Sequence, residues 1–335
     1  MRRTFRFLVR ALFGCVLLAA AAVAGGWWWI QQPLKLPASP YAFDVKAGAS
    51  LRTVARDLAA AGVLASDLPL VALARFRGTD RMIKAGNYEI ASGVTLPELL
   101  DRLVQGDATQ LALTVVEGAT YASIKRALAA DAGVAGTLAA VPDADVMARL
   151  GGEGASPEGW LFPDTYFYVA GSTDVAVLSR AYRLMRARLD AAWAKRAPDL
   201  PLKDSYAALI LASIVEKETG SPADRPLIAS VFVNRLRIGM RLQSDPTVIY
   251  GMGERFDGNL RRRDLEADTP WNTYTRDGLP PTPIALPGQA AIDAVTRPPR
   301  SDYLYFVARG DGTSEFSTNL VDHNRAVAKY QRGAR

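Results

Sequence analysis

Ala212-Ser213-Ile214-Val215-Glu216-Lys217-Glu218-Thr219-Gly220 reads as an apolar helix that ends on a carboxylate. Helical positions three, four and seven apart share a face, so Leu211, Ile214, Val215 and Glu218 form one stripe. Three of these four are hydrocarbon. Gly220 and Pro222 stop the helix just beyond, which puts Glu218 in its last turn. An apolar surround and the negative end of the helix dipole both disfavour charge there, so the pKa of Glu218 is expected to rise. A carboxyl group kept protonated near neutral pH is what a general acid needs. Glu216 faces Leu209, Ala212 and Ser213, a more mixed surface. The alternative is a structural helix-end acid paired with Arg225 or Arg235.

Downstream of this helix, a second one is expected over 224–238, and Asn234-Arg235-Leu236 lies on it. Gln243 and Ser244 precede Asp245-Pro246, where Asp245 is expected to N-cap a short helix reaching Tyr250. Trp271-Asn272-Thr273-Tyr274-Thr275 and Gly278-Leu279-Pro280-Pro281-Thr282-Pro283-Ile284 follow as loops. Loops dense in amides, hydroxyls and rings on a helical base suit a sugar polymer, because rings stack on pyranose faces and amides pair with hydroxyl and N-acetyl groups. An equal reading of Tyr250, Trp271 and Tyr274 is as core plugs. Glu158-Gly159-Trp160 and Pro163-Asp164-Thr165-Tyr166 either wall the same groove or pack domains together. His323 reads as a surface residue near the start of a helix.

The rest of the chain divides by composition. Arg2, Arg3, Arg6 and Arg10 precede Ala11–Ile30, twenty residues without a charge. At about 1.5 Å per residue this run is roughly 30 Å long, the thickness of a bilayer core. Trp27, Trp28 and Trp29 then fall where an aromatic belt meets head groups, and the arginines place the arm on the cytoplasmic side. A removed leader ending at Ala22-Val23-Ala24 is the competing reading. Pro33, Pro37 and Pro40 mark an extended stalk over 31–41. A strand at 43–45, helices at 51–58 and 68–75, a returning strand at 86–90 and a helix at 96–104 make a compact unit over 42–107. This strand-helix-helix-strand order resembles the LysM-like glycan-binding fold, a spacer domain being the alternative. A connecting subdomain is expected over 108–150 and the main domain over 151–335. In that domain long helices lead to a β-hairpin at Gly310-Asp311-Gly312 and a last helix over 320–330. The fold class is therefore α+β, with an N-terminal transmembrane helix and a mainly helical main domain.

Composition removes several chemistries. The formal net charge is +6, of which the four N-terminal arginines supply most, so nucleic acid is not an expected partner. One cysteine and one histidine leave almost no material for zinc or for Ser-His and Cys-His nucleophiles, and no metal or other cofactor is expected. Acid-based chemistry remains well supplied.

The stretch Ala212–Thr219, Val231-Phe232-Val233-Asn234-Arg235-Leu236, Leu242-Gln243-Ser244-Asp245-Pro246-Thr247-Val248-Ile249-Tyr250-Gly251 and Asn272-Thr273-Tyr274 resemble the YceG-like endolytic murein transglycosylases. So does the order of membrane helix, LysM-like region and catalytic domain. The resemblance implies cleavage of the β-1,4 bond between N-acetylmuramic acid and N-acetylglucosamine with formation of a 1,6-anhydro end. It also implies that Glu218, followed by the hydroxyl residue Thr219, is the catalytic acid. Glu216, Asn234, Gln243, Ser244 and Asp245 are the expected substrate-facing residues, together with Tyr250, Asn272 and Tyr274. Gln243 and Asn272 are further expected to supply dipoles to the developing positive charge. A muramidase using Asp245 or Glu216 to activate water, and a non-catalytic glycan-binding scaffold, are the rival readings. The expected setting is the inner membrane, single-pass with the bulk of the chain on the periplasmic side. Peptidoglycan glycan strands are the expected substrate there, and peptidoglycan synthases the expected partners.

Overall fold

The computed structural model describes residues 2–39, 41–46, 48–106, 111–154 and 156–332, without the side chains of 2–12, 15, 16, 19, 87 and 332. The chain divides into two compact units, Met1–Leu111 with Phe167–Ala170, and Ala112–Tyr166 with Gly171–Arg335.

The first unit begins with α1 (Arg2–Ile30). Among the described residues no helix is long and apolar enough to cross a membrane. After α1 come β1 (Tyr41–Val45), α2 (Leu51–Ala60), α3 (Leu68–Arg77), β2 (Gly86–Ile90) and α4 (Leu96–Gln105), the order read from the sequence. β1 and β2 pair antiparallel, with Tyr41 opposite Ile90 and Phe43 opposite Tyr88. Thr95 and Glu98 form a reciprocal capping box that starts α4. Leu58, Leu70, Ile90, Leu99 and Leu103 fill the core between sheet and helices. The proline-rich segment does not stand clear of this unit. Pro33 bridges to Thr95, Leu34 N–H donates to Val94 O at 2.8 Å, and Leu34 and Leu36 pack on the core.

In the second unit β3 (Leu111–Thr114) leads to α5 (Tyr121–Ala130), β4 (Val134–Ala135) and α6 (Asp143–Leu150). β5 (Thr165–Tyr168), whose last two residues belong to the first unit, and β6 (Ser172–Thr173) then precede four helices: α7 (Asp174–Ala194), α8 (Ser205–Glu218), α9 (Arg225–Arg237) and α10 (Asp245–Met252). The short α11 (Arg262–Glu266), α12 (Gln289–Thr296), the antiparallel hairpin β7 (Tyr305–Ala308) and β8 (Ser314–Ser317), and α13 (Leu320–Val327) complete the chain.

α8 is the axis of this unit. Asp204 caps its start, accepting from Ala207 N–H at 2.8 Å, and every residue from Ala207 to Val215 is buried. α7, α9, α10 and α12 pack around it, contributing Met185 and Leu189, Phe232, Val248, and Ile292 and Val295. A helix enclosed on all sides is apolar all round. The single apolar stripe expected for this segment is therefore the visible part of a fully enclosed helix, and each large side chain it buries contributes about 1.5–3 kcal/mol.

Candidate active site

Glu218 is the last residue of α8, and Thr219 beyond it is extended, with φ −150° and ψ 137°. The Thr219 hydroxyl accepts from Ser221 N–H at 2.9 Å, which turns the chain away from the helix. Glu218 Oε1 accepts a 2.5 Å hydrogen bond from Ser244 Oγ.

Ser244 is held by buried hydroxyls. Its N–H donates to Thr273 Oγ1 at 3.0 Å, and the Thr247 hydroxyl donates to Ser244 O at 2.6 Å. Thr247 Oγ1 also lies 2.9 Å from Thr273 Oγ1, and Gln243 N–H donates to Thr273 O at 3.1 Å. Cut off from water, these groups satisfy one another and fix where the Ser244 hydroxyl points. Gln243 is exposed and has φ +50°, the one positive value among the described non-glycine residues. Such a backbone costs on the order of 1 kcal/mol and persists only where its neighbours are fixed.

Ser244, rather than Asp245, takes the N-cap position of α10, and Asp245 is the first residue of the helix. The Asp245 carboxylate turns outward instead, accepting from the Tyr274 hydroxyl at 2.6 Å. Burial and this bond raise the Tyr274 pKa.

Arg235 comes from α9 and is 6% exposed. Its Nε donates to Leu304 O at 2.7 Å and its Nη1 to Leu242 O at 2.6 Å, and its guanidinium lies 5.4 Å from the Tyr305 ring centre. Among the described residues it has no salt-bridge partner. Burial raises Glu218 to about 7, and Asp245 pushes it the same way, while the Ser244 bond and the Arg235 charge oppose them. The acid is thus poised between its two forms near neutrality.

Glu216 has other partners. Gly288 N–H, at the start of α12, donates to its Oε2 at 2.9 Å, and Arg225 Nη2 lies 3.5 Å from its Oε1. These side chains are only 6% and 10% exposed, so the surface expected around Glu216 is in fact enclosed. Arg225, read as a possible partner of Glu218, belongs to Glu216.

Further expectations change. Asn272 is fully buried, donating to Leu265 O at 2.9 Å and Ala267 O at 2.7 Å and accepting from Tyr274 N–H at 2.8 Å. An amide saturated inside the fold has no atom left for a ligand, so Asn272 is a scaffold residue. Asn234 donates to Ser301 O at 2.8 Å and Tyr303 O at 3.0 Å, which ties α9 to the segment before β7. Tyr250 is partly buried, its ring edge-on to Trp271 with centroids 5.4 Å apart. Trp271 Nε1 in turn donates to Thr282 Oγ1 at 2.9 Å. His323, expected at the surface, is partly buried and stacks on Tyr305 at 5.1 Å, and burial lowers its pKa.

Gln243, Ser244, Asp245 and Tyr274 are thus the expected residues that gather with Glu218. The sequence reading missed Thr247 and Thr273, and named Arg235 only as a possible ion-pair partner of a structural Glu218. For Arg235 a signal was present: Ile228, Val231, Phe232 and Arg235 share a helical face, the same pattern that marked Glu218.

One partly buried acid tuned to neutrality, with a hydroxyl donor and a buried cation beside it, defines a site for proton transfer by a single carboxyl group. The YceG-like family profile matches residues 43–329, and the chain belongs to that family. An endolytic murein transglycosylase of Bacillus subtilis is 32% identical over 86% of this chain and 84% of its own length. One from Streptococcus pneumoniae is 29% identical over 84% of this chain, which spans 57% of that relative. The crystal structure of a yceG-like protein from Listeria monocytogenes is similar at a TM-score of 0.53 and 28% identity, covering 86% of this chain and 98% of that one.

Proposed function

We propose that this chain is an endolytic murein transglycosylase that cuts the β-1,4 bond between N-acetylmuramic acid and N-acetylglucosamine and leaves a 1,6-anhydro end. The observation that carries the reading is Glu218, a helix-end carboxyl raised to about 7 by burial and held by Ser244. As an acid it protonates the glycosidic oxygen while the bond from that oxygen to muramic C1 breaks. As a carboxylate it then takes the proton of the muramic 6-hydroxyl, whose oxygen bonds to C1. The proton returns to Glu218 and no water enters. In this reading Gln243, exposed and carrying a positive φ beside Ser244, offers its amide to the positive charge at C1.

A hydrolase would need a second carboxylate to activate water. Glu216 is held by Gly288 and Arg225, and Asp245 by Tyr274, which supports the transglycosylase over the muramidase. Mass spectrometry of glycan strands treated with the full-length chain is expected to show anhydro ends. Products heavier by one water would establish the muramidase, and strands bound but uncut would establish the scaffold.

We further read α1 as a membrane anchor and the strand-helix-helix-strand unit as LysM-like. The support for the anchor is the uncharged run Ala11–Ile30 behind four arginines, with Trp27, Trp28 and Trp29 at least half exposed. The side chains at 11, 12, 15, 16 and 19 lie outside the description. An anchored enzyme with its bulk beyond the inner membrane reaches only strands near their synthesis, and so acts beside the synthases to terminate them. In alkaline carbonate extraction the full-length chain is expected to stay with the membrane pellet; release to the supernatant would defeat the anchor.

A further inference from the structure

A second carboxyl group lies inside the same unit, and the mechanism above does not use it. Glu158 is 3% exposed. Tyr121 N–H, the first residue of α5, donates to both of its oxygens at 3.1 Å, and the Tyr250 hydroxyl donates to Oε2 at 3.2 Å. The backbone is built to keep it there. Gly159 has φ +82°, and a Cβ at that position would lie 2.5 Å from Pro283, so only glycine lets the chain pass. Tyr250 stands on α10, the helix whose N-cap is Ser244, the hydrogen-bond donor to Glu218. One short rigid helix therefore runs from the acid's donor to the ring that Glu158 grips.

We propose that Glu158 is a positioning residue for the reaction: by holding the Tyr250 hydroxyl against the start of α5 it fixes α10, and with it the Ser244 hydroxyl that orients Glu218. The proposal rests on the reading of Glu218 as the acid. Ionised Glu158 accepts the N–H and O–H bonds together, whereas its protonated form carries a hydrogen of its own that competes for a place. Burial raises Glu158 to about 7 against the opposing bonds from Tyr121 and Tyr250, and Asp143 adds to the rise. The ionisable groups around it are Tyr121 on α5, Asp143 on α6 with its partner Lys125 at 3.2 Å, and Tyr250 on α10. The grip tightens as pH rises through neutrality, while the supply of protonated Glu218 falls. Turnover is then a bell with an acid limb from Glu158 and an alkaline limb from Glu218.

The test compares full-length wild type, Glu158→Gln, Tyr250→Phe and the double variant on purified glycan strands, with thermal melts as a check on folding. Glu158→Gln mimics the protonated carboxyl at every pH. It is expected to lower kcat at pH 7 by roughly tenfold, within the scale of loss from misplacing a catalytic group. KM should stay within about twofold, because uniform substrate binding is untouched. The acid limb should vanish and the alkaline limb remain. Tyr250→Phe keeps the ring against Trp271 and should reproduce this profile, and the double variant should be no slower than either single one. Wild-type kcat in both single variants, or an acid limb that survives Glu158→Gln, would overturn the proposal. Turnover by Glu218→Gln would instead overturn the reading beneath it, so the two failures are distinct.

Discussion

Glu218→Gln is expected to lower the release of anhydro-ended fragments by about 10²–10⁴-fold, the scale of general acid–base catalysis. Gln keeps the size of the side chain and an oxygen for the Ser244 hydroxyl, but has no proton to give the leaving oxygen. Glu216→Gln is the control: it removes the ion pair with Arg225 but no group that touches the acid, and should keep most of the turnover. Anhydro release that persists in Glu218→Gln and disappears in Glu216→Gln would reverse the assignment.

The same substitution should stabilise the protein at high pH. The folded pKa of Glu218 is raised from 4.5 to about 7, so the folded state binds the proton more tightly than the unfolded chain. The penalty for ionising it in place is absent at pH 4, grows through the window from 4.5 to about 7, and is complete above. A shift of that size corresponds to about 3 kcal/mol. Glu218→Gln never ionises, so its stability should match wild type at pH 4 and exceed it at pH 8. Urea midpoints at both pH values check this, and an equal difference at the two would refute it. An active site that opposes folding is the expected cost of holding an acid where its charge is disfavoured.

Asn272→Ala is expected to cost about 3 kcal/mol of folding stability. It strips two donated hydrogen bonds from Leu265 O and Ala267 O and one acceptor from Tyr274 N–H at a fully buried position. Each buried polar group left unpaired costs roughly 1–3 kcal/mol. The damage should reach the site, because adjacent Thr273 holds Ser244. Turnover should therefore fall along with the urea midpoint, although Asn272 touches no ligand. A loss below about 1 kcal/mol would show that water satisfies these carbonyls.

Much of the local structure was legible because it depends on short-range chemistry. Residues 51–58 and 96–104 fold as the helices read for them, and the Gly310–Gly312 turn joins β7 to β8. Cap and turn residues act within a few positions, so their signals survive without the rest of the fold. Asp245 shows where that reading fails. Either Ser244 or Asp245 is a good cap by composition, and Asp245 became the first helical residue while its carboxylate was taken by the hydroxyl of Tyr274, a residue 29 positions away.

The sequence by itself pointed to a carboxyl group near the end of an apolar helix as the proposed acid, since it supplies almost no histidine or cysteine and stops that helix at Gly220. Periodicity and the following Thr219 favoured Glu218 over Glu216, yet burial does not part them, because α8 is enclosed on every side and both acids lose solvent. What the tertiary structure adds is their partners, which arrive from distant segments. Gly288 and Arg225 close around Glu216, while Ser244 meets Glu218 beside the exposed Gln243 and Asp245. A pKa is set by the charges and donors within a few ångströms, and along a folded chain those neighbours are set by packing rather than by position in the sequence.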